Sequence, residues 1–229
     1  MERTEAARFR GRMIAVEGLD GSGKSTQLRL LKRWLEFQGL KVFLCEWDAS
    51  DFVRTTTSKV RSRELLTPTT FSLLHATDFA GRYDRQVVPL LRAGYLVLWD
   101  RYFYTAFARD VVRGCPPAWV RGIYEFAAPA DLTFFFKAPL ETCLGRIRTD
   151  RLEPKYFEAG MDLRLSTDPQ ESFRLFQARL HEQYLWMSTE FGFKVVDGTK
   201  PIEAQQQVVR QLVEGSIDLA RFKYTGTRS

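Results

Sequence analysis

Five short apolar runs recur along the chain, and each is rich in β-branched or aromatic side chains, which favour strands. The longer stretches between them, such as residues 168–190 and 201–214, repeat apolar residues every three or four positions, as helices do. This alternation predicts an α/β fold in which a parallel sheet carries helices on both faces. The predicted strands are residues 13–17, 41–46, 95–99, 132–136 and 193–196.

The first predicted strand leads into a glycine-rich segment. Residues 18–25 read GLDGSGKS and fit the pattern G-x-x-x-x-G-K-[ST], in which backbone amides surround phosphates at the start of a helix. We expect Lys24 to reach the β- and γ-phosphates of a nucleoside triphosphate and the Ser25 hydroxyl to bind Mg²⁺. The alternative, a chance match in an ordinary turn, does not account for the strand before it and the helix that Gly39 ends.

Charged residues stand where two other predicted strands end. Glu46 ends the second strand, and Asp100 and Arg101 follow the third. The carboxyl ends of parallel strands meet at one edge of a sheet, so these residues should lie near the glycine-rich segment. There Asp100 could hold Mg²⁺ directly or through water, and Arg101 could bridge donor and acceptor phosphates. A surface ion pair is the alternative.

The composition favours a small anionic ligand over nucleic acid or a membrane. The 34 Lys and Arg outnumber the 28 Asp and Glu, but the arginines are spread along all 229 residues. The tryptophans do not alternate with basic residues as in a nucleic-acid stacking platform. No apolar stretch reaches the length of a membrane span, and the first residues do not resemble a signal peptide. We expect a single domain over residues 1–229.

The cysteines indicate no metal or disulfide framework. Cys45, Cys115 and Cys143 are odd in number and lack metal-ligand spacing, and the chain holds only two histidines. Free cysteines are typical of a reducing compartment, so a cytoplasmic location is predicted.

Three segments together resemble the thymidylate kinases. They are VEGLDGSGKST at 16–26, DRY at 100–102 and DRLE at 150–153, and their order and spacing fit this family over nearly the whole chain. The resemblance implies transfer of the γ-phosphate of ATP to a nucleoside monophosphate, with Mg²⁺. It also implies a three-layer P-loop kinase fold with a five-stranded parallel sheet, and a homodimer.

The resemblance also implies roles for single residues. Asp20 would contact the acceptor sugar, and Thr105 would lie near the base. Because position 22 is Ser, where some family members have a catalytic Arg, the arginine acting on the transition state should come from an Arg-rich lid at 146–164. Within the lid, Arg151 is the first candidate, followed by Arg146 and Arg148.

The predicted site contains three groups of residues besides the metal ligands. The predicted catalytic residues are Lys24, Asp100, Arg101 and Arg151. The predicted ATP-binding residues are Gly18, Asp20, Gly21, Ser22, Gly23, Lys24, Ser25, Thr26, Arg146 and Arg148. The predicted acceptor-binding residues are Asp20, Glu46, Phe79, Arg82, Arg101, Tyr102, Thr105, Arg109 and Asp110. The predicted Mg²⁺ ligands are Ser25 and Asp100.

The chain departs from the family pattern in the acceptor region. Glu46 stands in Cys-Glu-Trp where many members have Arg-Glu-Pro, so Arg54 or Lys59 could supply the acceptor-phosphate contact. Phe79 and Arg82 are the candidates for stacking on the base and reading it, with Phe71 as the alternative for stacking. Asp110 stands where bacterial members have Gln, and it lacks the donor of an amide.

Other features are most simply structural. Residues 173, 176, 180 and 184 are apolar or aromatic at helical spacing, which predicts a core face or, alternatively, a dimer surface. His75 lies among apolar residues and is interpreted as structural. Residues 1–11 and 223–229 are predicted to be flexible.

The leading functional prediction is phosphorylation of dTMP. The alternatives are another base, a deoxynucleoside kinase that uses a carboxylate as general base, and a module that binds ATP without turnover. The surplus of phosphate-directed cations argues against the last of these.

Overall fold

The sheet confirms the predicted architecture. The structure, a computed structural model, describes residues 9–47, 66–150 and 154–224, and of residues 148–150 only the helical backbone. Within these ranges five parallel strands lie in the order β2-β3-β1-β4-β5. They are β1 Arg12–Glu17, β2 Val42–Glu46, β3 Leu96–Asp100, β4 Leu132–Lys137 and β5 Lys194–Asp197. Asp100 is thus the last residue of β3, where the sequence placed it just after the strand.

Helices follow the strands as the alternation predicts. In the described residues they are α1 Lys24–Phe37, α2 Pro68–Arg82, α3 Val88–Arg92, α4 Phe103–Val112, α5 Pro117–Ile123, α6 Leu140–Asp150, α7 Pro169–Glu190 and α8 Ile202–Ser216. A π-helical turn, Tyr83–Val87, joins α2 to α3. Local chemistry sets the ends: Asp168 caps α7 by accepting from two backbone amides, and Gly39 follows α1 with φ 75°.

Each face of the sheet has its own apolar core. Alternate residues of β1 point to opposite faces, so that Met13 and Ala15 pack in one core and Ile14 and Val16 in the other. Helices α1 and α8 cover the second core, whereas α2, α4 and α7 cover the first. The predicted core face of α7 is confirmed, since all four of its residues are buried: Phe173, Phe176, Leu180 and Tyr184.

The segments predicted to be mobile are partly anchored in the structure. Helix α6 continues to Asp150, and residues 154–164 pack on α4 and α7, where Arg113 on α4 donates from Nε to Asp162 at 2.7 Å. The amide of Gly11 donates to the Leu91 carbonyl at 2.7 Å, and that of Tyr224 donates to Gly39 at 2.9 Å. Residues 1–8, 151–153 and 225–229 lie outside the described residues.

Candidate active site

The loop after β1 depends on glycine for its shape. Gly18, Gly21 and Gly23 have φ angles of 142°, 77° and 90°, values that favour glycine. A Cβ atom at Gly21 would lie 2.4 Å from the carbonyl oxygen of Cys143, and one at Gly18 would lie 2.8 Å from that of Phe136. Larger residues would collide with this backbone at Gly18 and Gly21, whereas at Gly23 only the positive φ favours glycine.

The first turn of α1 forms the positive end of the site. It contains no acidic residue, and the unpaired amides of such a turn carry partial positive charge. The buried Lys24 donates from Nζ to the Leu19 carbonyl at 3.3 Å. Burial, together with the charge of Arg101, lowers the pKa of Lys24 to about 8. Ser25 is half-buried and Thr26 is exposed in the same turn.

Three cations from three elements surround Asp20. Arg101 donates from Nη2 to Asp20 Oδ1, Lys24 Nζ lies 3.8 Å from that oxygen, and Arg109 Nη2 lies 3.7 Å from Oδ2. Gln177 on α7 adds a neutral donor at 3.3 Å. Burial alone would raise the pKa of Asp20, but the charges of the three cations outweigh it and hold this pKa well below its usual range.

Arg101 is held in an unusual backbone conformation. Its φ is 67°, in the left-handed region, and its amide donates to the Val16 carbonyl at 3.1 Å. Its Nη1 atom donates to the Gly18 carbonyl and to the Tyr184 hydroxyl, each at 3.1 Å. The guanidinium therefore joins β3, the glycine-rich loop and α7.

A buried carboxylate that the sequence analysis did not single out lies beneath Arg101. Glu17, the last residue of β1, accepts hydrogen bonds from the backbone amide of Tyr102 at 2.8 Å, the Thr105 hydroxyl at 2.8 Å and the Tyr184 hydroxyl at 3.1 Å. All four side chains are buried. Burial raises the pKa of Glu17, and the charge of Arg101 and these three bonds oppose that shift.

Three buried polar atoms near Asp20 and the glycine-rich loop have no partner among the described residues: Ser22 Oγ, Arg109 Nε and Gln177 Oε1. A buried donor or acceptor without a partner is unfavourable, and a ligand can supply one. Their position beside the cation cluster indicates where a polar ligand would bind.

A second buried aspartate lies between α2 and α4. Asp110 Oδ2 accepts from the Ser72 hydroxyl at 2.6 Å. Burial raises its pKa to about 6, against that bond and the charges of Arg113 and Arg109. Phe71 directly precedes Ser72 in the sequence, and the Arg113 guanidinium lies 4.5 Å from the centre of its ring.

The donor set for Mg²⁺ consists of oxygen ligands alone. No group of three His, Cys, Asp or Glu side chains suited to a metal occurs in the part of the chain that the structure describes. Mg²⁺ bound with nucleotide phosphates needs only one or two protein oxygens, which Ser25 and Asp100 can supply. The charge of Asp100 also acts on Lys24, where it opposes the larger lowering of the Lys24 pKa by burial.

The sequence is similar to those of thymidylate kinases. The family model for thymidylate kinase matches residues 16–209. The chain is 40% identical to "Probable thymidylate kinase 2" of Saccharolobus solfataricus over 92% of this chain and 99% of that protein. It is 29% identical to "Probable thymidylate kinase" of Thermococcus kodakarensis, over 88% and 96% of the two chains. The chain belongs to the thymidylate kinase family.

The residues that depart from the thymidylate kinase pattern have structural partners here. Glu46 is exposed, 4.0 Å from Arg29 Nη2. Arg82 forms an ion pair with Asp78 at 2.9 Å and donates to the carbonyls of Glu46 and Trp47. Its guanidinium thus holds the end of β2 against α2, and its predicted contact with the acceptor stays a prediction.

The other predicted acceptor contacts of this thymidylate kinase family member are buried. Phe79 is fully buried among the aromatic rings of the first core, so no face of the ring is open to a base in this conformation. Phe71 is also buried, against His75 and Phe157. The Tyr102 hydroxyl donates to the Ala128 carbonyl at 2.8 Å. Acceptor binding by these residues stays a prediction.

The predicted lid arginines are described only in part. Arg146 donates to the carbonyls of Gly21 at 3.2 Å and Gly198 at 2.9 Å, and so links α6, the glycine-rich loop and the loop after β5. Of Arg148 only its place in α6 is described, and the first candidate for the transition-state contact, Arg151, lies outside the described residues. The alternatives for the acceptor phosphate, Arg54 and Lys59, also lie outside them.

Among the described residues, no helix is both long enough and apolar enough to cross a bilayer.

Proposed function

We propose that this chain is a nucleoside monophosphate kinase that transfers the γ-phosphate of ATP to dTMP, giving dTDP and ADP. One observation carries the proposal: Lys24 of the glycine-rich loop, Arg101 at the end of β3 and Arg109 on α4 converge on Asp20. Lys24 belongs to a motif that binds triphosphates, and the two arginines extend the positive charge beyond it. The family and the names of its relatives support dTMP as the acceptor.

The convergence of cations supports binding of phosphates. Lys24, Arg101 and Arg109 all lie within 4 Å of Asp20, and the charges of Glu17 and Asp100 also act on this cluster. Arg109 Nε has no partner among the described residues, so an arriving anion could accept a hydrogen bond from it. Two phosphate-bearing substrates would supply that anion, and Asp20 holds the cations together in their absence.

Phosphoryl transfer to a monophosphate requires the protein to position the substrates and stabilise charge rather than to remove a proton. A monophosphate acceptor already presents an ionised oxygen, so the protein needs no general base. Lys24 would act on the β- and γ-phosphates, and Arg101 would hold the acceptor phosphate against the transferred group. Glu46 is exposed and the oxygens of Glu17 are already hydrogen-bonded, which disfavours the deoxynucleoside kinase alternative.

Mg²⁺ is proposed as the partner of ATP. The Ser25 hydroxyl and the Asp100 carboxylate would hold it, the latter directly or through water. The bound ion would neutralise charge on the phosphate oxygens.

Besides Lys24 and Arg101, a further arginine should stabilise charge on the transferred phosphoryl group, and we assign this role to Arg151. Arg146 already donates to two carbonyls in this structure, so it would have to give up those bonds to reach the transferred phosphoryl group. Position 22 in the glycine-rich loop is Ser and supplies no charge.

We predict that Arg151→Ala lowers kcat by about 1000-fold or more, the size of effect seen when an arginine acting on phosphoryl transfer is lost. The measurement is the steady-state rate of ADP release with saturating ATP and dTMP. Arg174→Ala, which removes an exposed arginine paired with Glu171, is the matched control and should leave kcat unchanged. Near wild-type kcat in Arg151→Ala would exclude this lid assignment.

A panel of acceptors tests the reaction itself. ADP release is measured with ATP, Mg²⁺ and dTMP, dUMP, UMP, CMP, dCMP, GMP, AMP or thymidine in turn. We expect dTMP to give the highest kcat/KM and thymidine to be inactive. Preference for another monophosphate would keep the kinase and reassign its base, preference for thymidine would indicate a deoxynucleoside kinase, and inactivity throughout would indicate a module without turnover.

The oligomeric state is a separate proposal. We propose the homodimer that the family resemblance implies, and sedimentation of the purified chain tests it.

A further inference from the structure

Among the described residues the buried Glu17 forms no direct ion pair, yet both of its carboxylate oxygens accept hydrogen bonds. Oε1 accepts from the amide of Tyr102, and Oε2 accepts from the hydroxyls of Thr105 and Tyr184. Three donors and no acceptor surround it, which is the environment that suits an ionised carboxylate. Glu17 and Tyr184 are both fully buried, at 0% exposure, so neither touches a ligand in this conformation.

The residues that donate to Glu17 are connected to Arg101 in two ways. The first is the backbone: Tyr102, whose amide Glu17 holds, directly follows Arg101 and its left-handed φ of 67°. The second is the side chain: Arg101 Nη1 donates to the Tyr184 hydroxyl, whose oxygen lies 3.1 Å from Glu17 Oε2. Since a guanidinium can only donate, the Tyr184 oxygen accepts from Arg101 and its proton is left for Glu17 or Thr105.

The two halves of the Arg101 guanidinium have different partners. Nη2 is paired with the Asp20 carboxylate, whereas Nη1 is bonded to neutral oxygens of Gly18 and Tyr184. A phosphate that binds Arg101 competes with Asp20 for charge, but it does not need to displace the neutral oxygens. The Nη1 bonds therefore fix the orientation of the guanidinium while the partner of Nη2 changes.

We propose that Glu17 and Tyr184 are positioning residues that orient Arg101 toward the acceptor phosphate. The inference rests on the proposed function for the identity of that phosphate. It adds to that function a buried relay, Glu17–Tyr184–Arg101, that runs from β1 through α7 to the end of β3. Thr105, which also donates to Glu17, holds the first turn of α4 to the same carboxylate.

Tyr184→Phe removes one hydroxyl and leaves the aromatic ring, which stacks on Phe135 at 5.8 Å between ring centres. We expect kcat/KM for the acceptor nucleotide to fall about tenfold or more, while KM for ATP stays within about twofold, because the ATP contacts of the glycine-rich loop are unchanged. A role in folding alone would lower stability without separating the two substrates.

Tyr83→Phe is the matched control. The Tyr83 ring is also buried, and its hydroxyl accepts from the Ala128 amide at 2.9 Å and neighbours the side chain of Tyr102 rather than Glu17 or Arg101. Its loss should lower the thermal stability much as Tyr184→Phe does, with both KM values and kcat unchanged. An equal kinetic effect of the two substitutions would overturn the proposal.

Glu17→Gln and the double variant test whether the pair acts as one relay. Glu17→Gln should show the same preference for the acceptor, and Glu17→Gln/Tyr184→Phe should lose less than the product of the two single effects, because both act through Arg101. Effects that simply multiply would contradict the relay.

A crystal structure of Tyr184→Phe gives a readout that needs no turnover. We expect the Arg101 guanidinium to rotate away from the Gly18 carbonyl, and an unchanged guanidinium would overturn the proposal. Wild-type activity on the acceptor panel tests the proposed function separately. The ratio of variant to wild type is measured with whichever acceptor that panel prefers, so reassigning the base leaves this test intact.

Discussion

The cation cluster around Asp20 and the α2–α4 contact around Asp110 both bury an aspartate near arginines, yet the two pKa values shift in opposite directions. The pKa of Asp20 is held well below its usual range, whereas that of Asp110 is raised to about 6. Both carboxyl groups pay a desolvation cost, so burial alone does not separate them.

The number of cations close to each carboxyl group separates them. Arg101 donates directly to Asp20, and Lys24 Nζ and Arg109 Nη2 lie within 4 Å of its oxygens. Arg113, near Asp110, instead donates to Asp162 at 2.7 Å and to the carbonyls of Phe157 and Arg109. The hydrogen bond that Asp110 accepts comes from the Ser72 hydroxyl. The charges of three close cations therefore outweigh desolvation at Asp20, whereas the charges near Asp110 do not.

The two regions match the two ends of a nucleotide. Phosphates are anionic, and three cations meet at Asp20. A nucleobase is neutral, and the Asp110 region offers a carboxyl group of adjustable protonation beside aromatic rings.

Asp20→Asn should cause the largest change, because it leaves the buried Lys24 and the partly buried Arg101 and Arg109 without their shared carboxylate. Breaking a buried ion pair from one side costs about 3–5 kcal/mol of unfolding free energy. Urea denaturation measures the loss, and added ATP should recover part of it by supplying phosphate charge. A loss below about 1 kcal/mol would show that solvent already screens these cations, and the contrast with Asp110 would then fail.

Asp110→Asn should change how stability depends on pH. The pKa of Asp110 is about 6 in the folded chain against 3.8 for an unperturbed aspartate. Between these values the folded chain binds the proton more tightly than the unfolded chain does. The stabilisation by the protonated form is thus complete below about pH 4 and is lost as the pH rises through 6, amounting to up to about 3 kcal/mol.

Asparagine does not titrate, so this decline should be absent from the variant. The measurement is the unfolding free energy of both chains at pH 4.5, 5.5, 6.5 and 7.5, and the difference between them isolates position 110. Parallel pH curves for the two chains would contradict the raised pKa.

The fold was readily predicted because its signals are local. Five apolar runs and the helical spacing between them determined the sheet and its layers, and the strand bounds differ from the observed ones by about one residue. The glycine-rich motif was equally informative, because its glycines and Lys24 must occupy adjacent positions in one loop.

The contacts that join distant segments were harder to predict. Tyr184 was interpreted as core from its spacing in α7, and its ring is in the core, but its hydroxyl reaches Glu17 and Arg101, 167 and 83 residues away. Glu17 could have been noticed as a charged residue ending an otherwise apolar strand. Gln177, which donates to Asp20, gave no signal, because a polar residue on a helix is most often exposed.

Asp110→Gln should have the smallest effect, confined to the choice of base. A glutamine amide presents a donor and an acceptor at all pH values, whereas Asp110 donates only when protonated. Thymine and cytosine differ in donors and acceptors on the same edge, so the ratio of kcat/KM for dTMP to that for dCMP should change by up to about tenfold, the value of one hydrogen bond. KM for ATP should not change.

Ser72→Ala sharpens this last test, because the Ser72 hydroxyl donates to Asp110 Oδ2 and so orients it. If Asp110 reads the base, removing that hydroxyl should shift the same ratio part of the way, because it frees the carboxyl group and removes a bond that holds its pKa down. An unchanged ranking of acceptors in both variants would show that Asp110 is only a structural contact between α2 and α4. Base selection would then have to come from the aromatic side of the contact, where Phe71 and His75 lie.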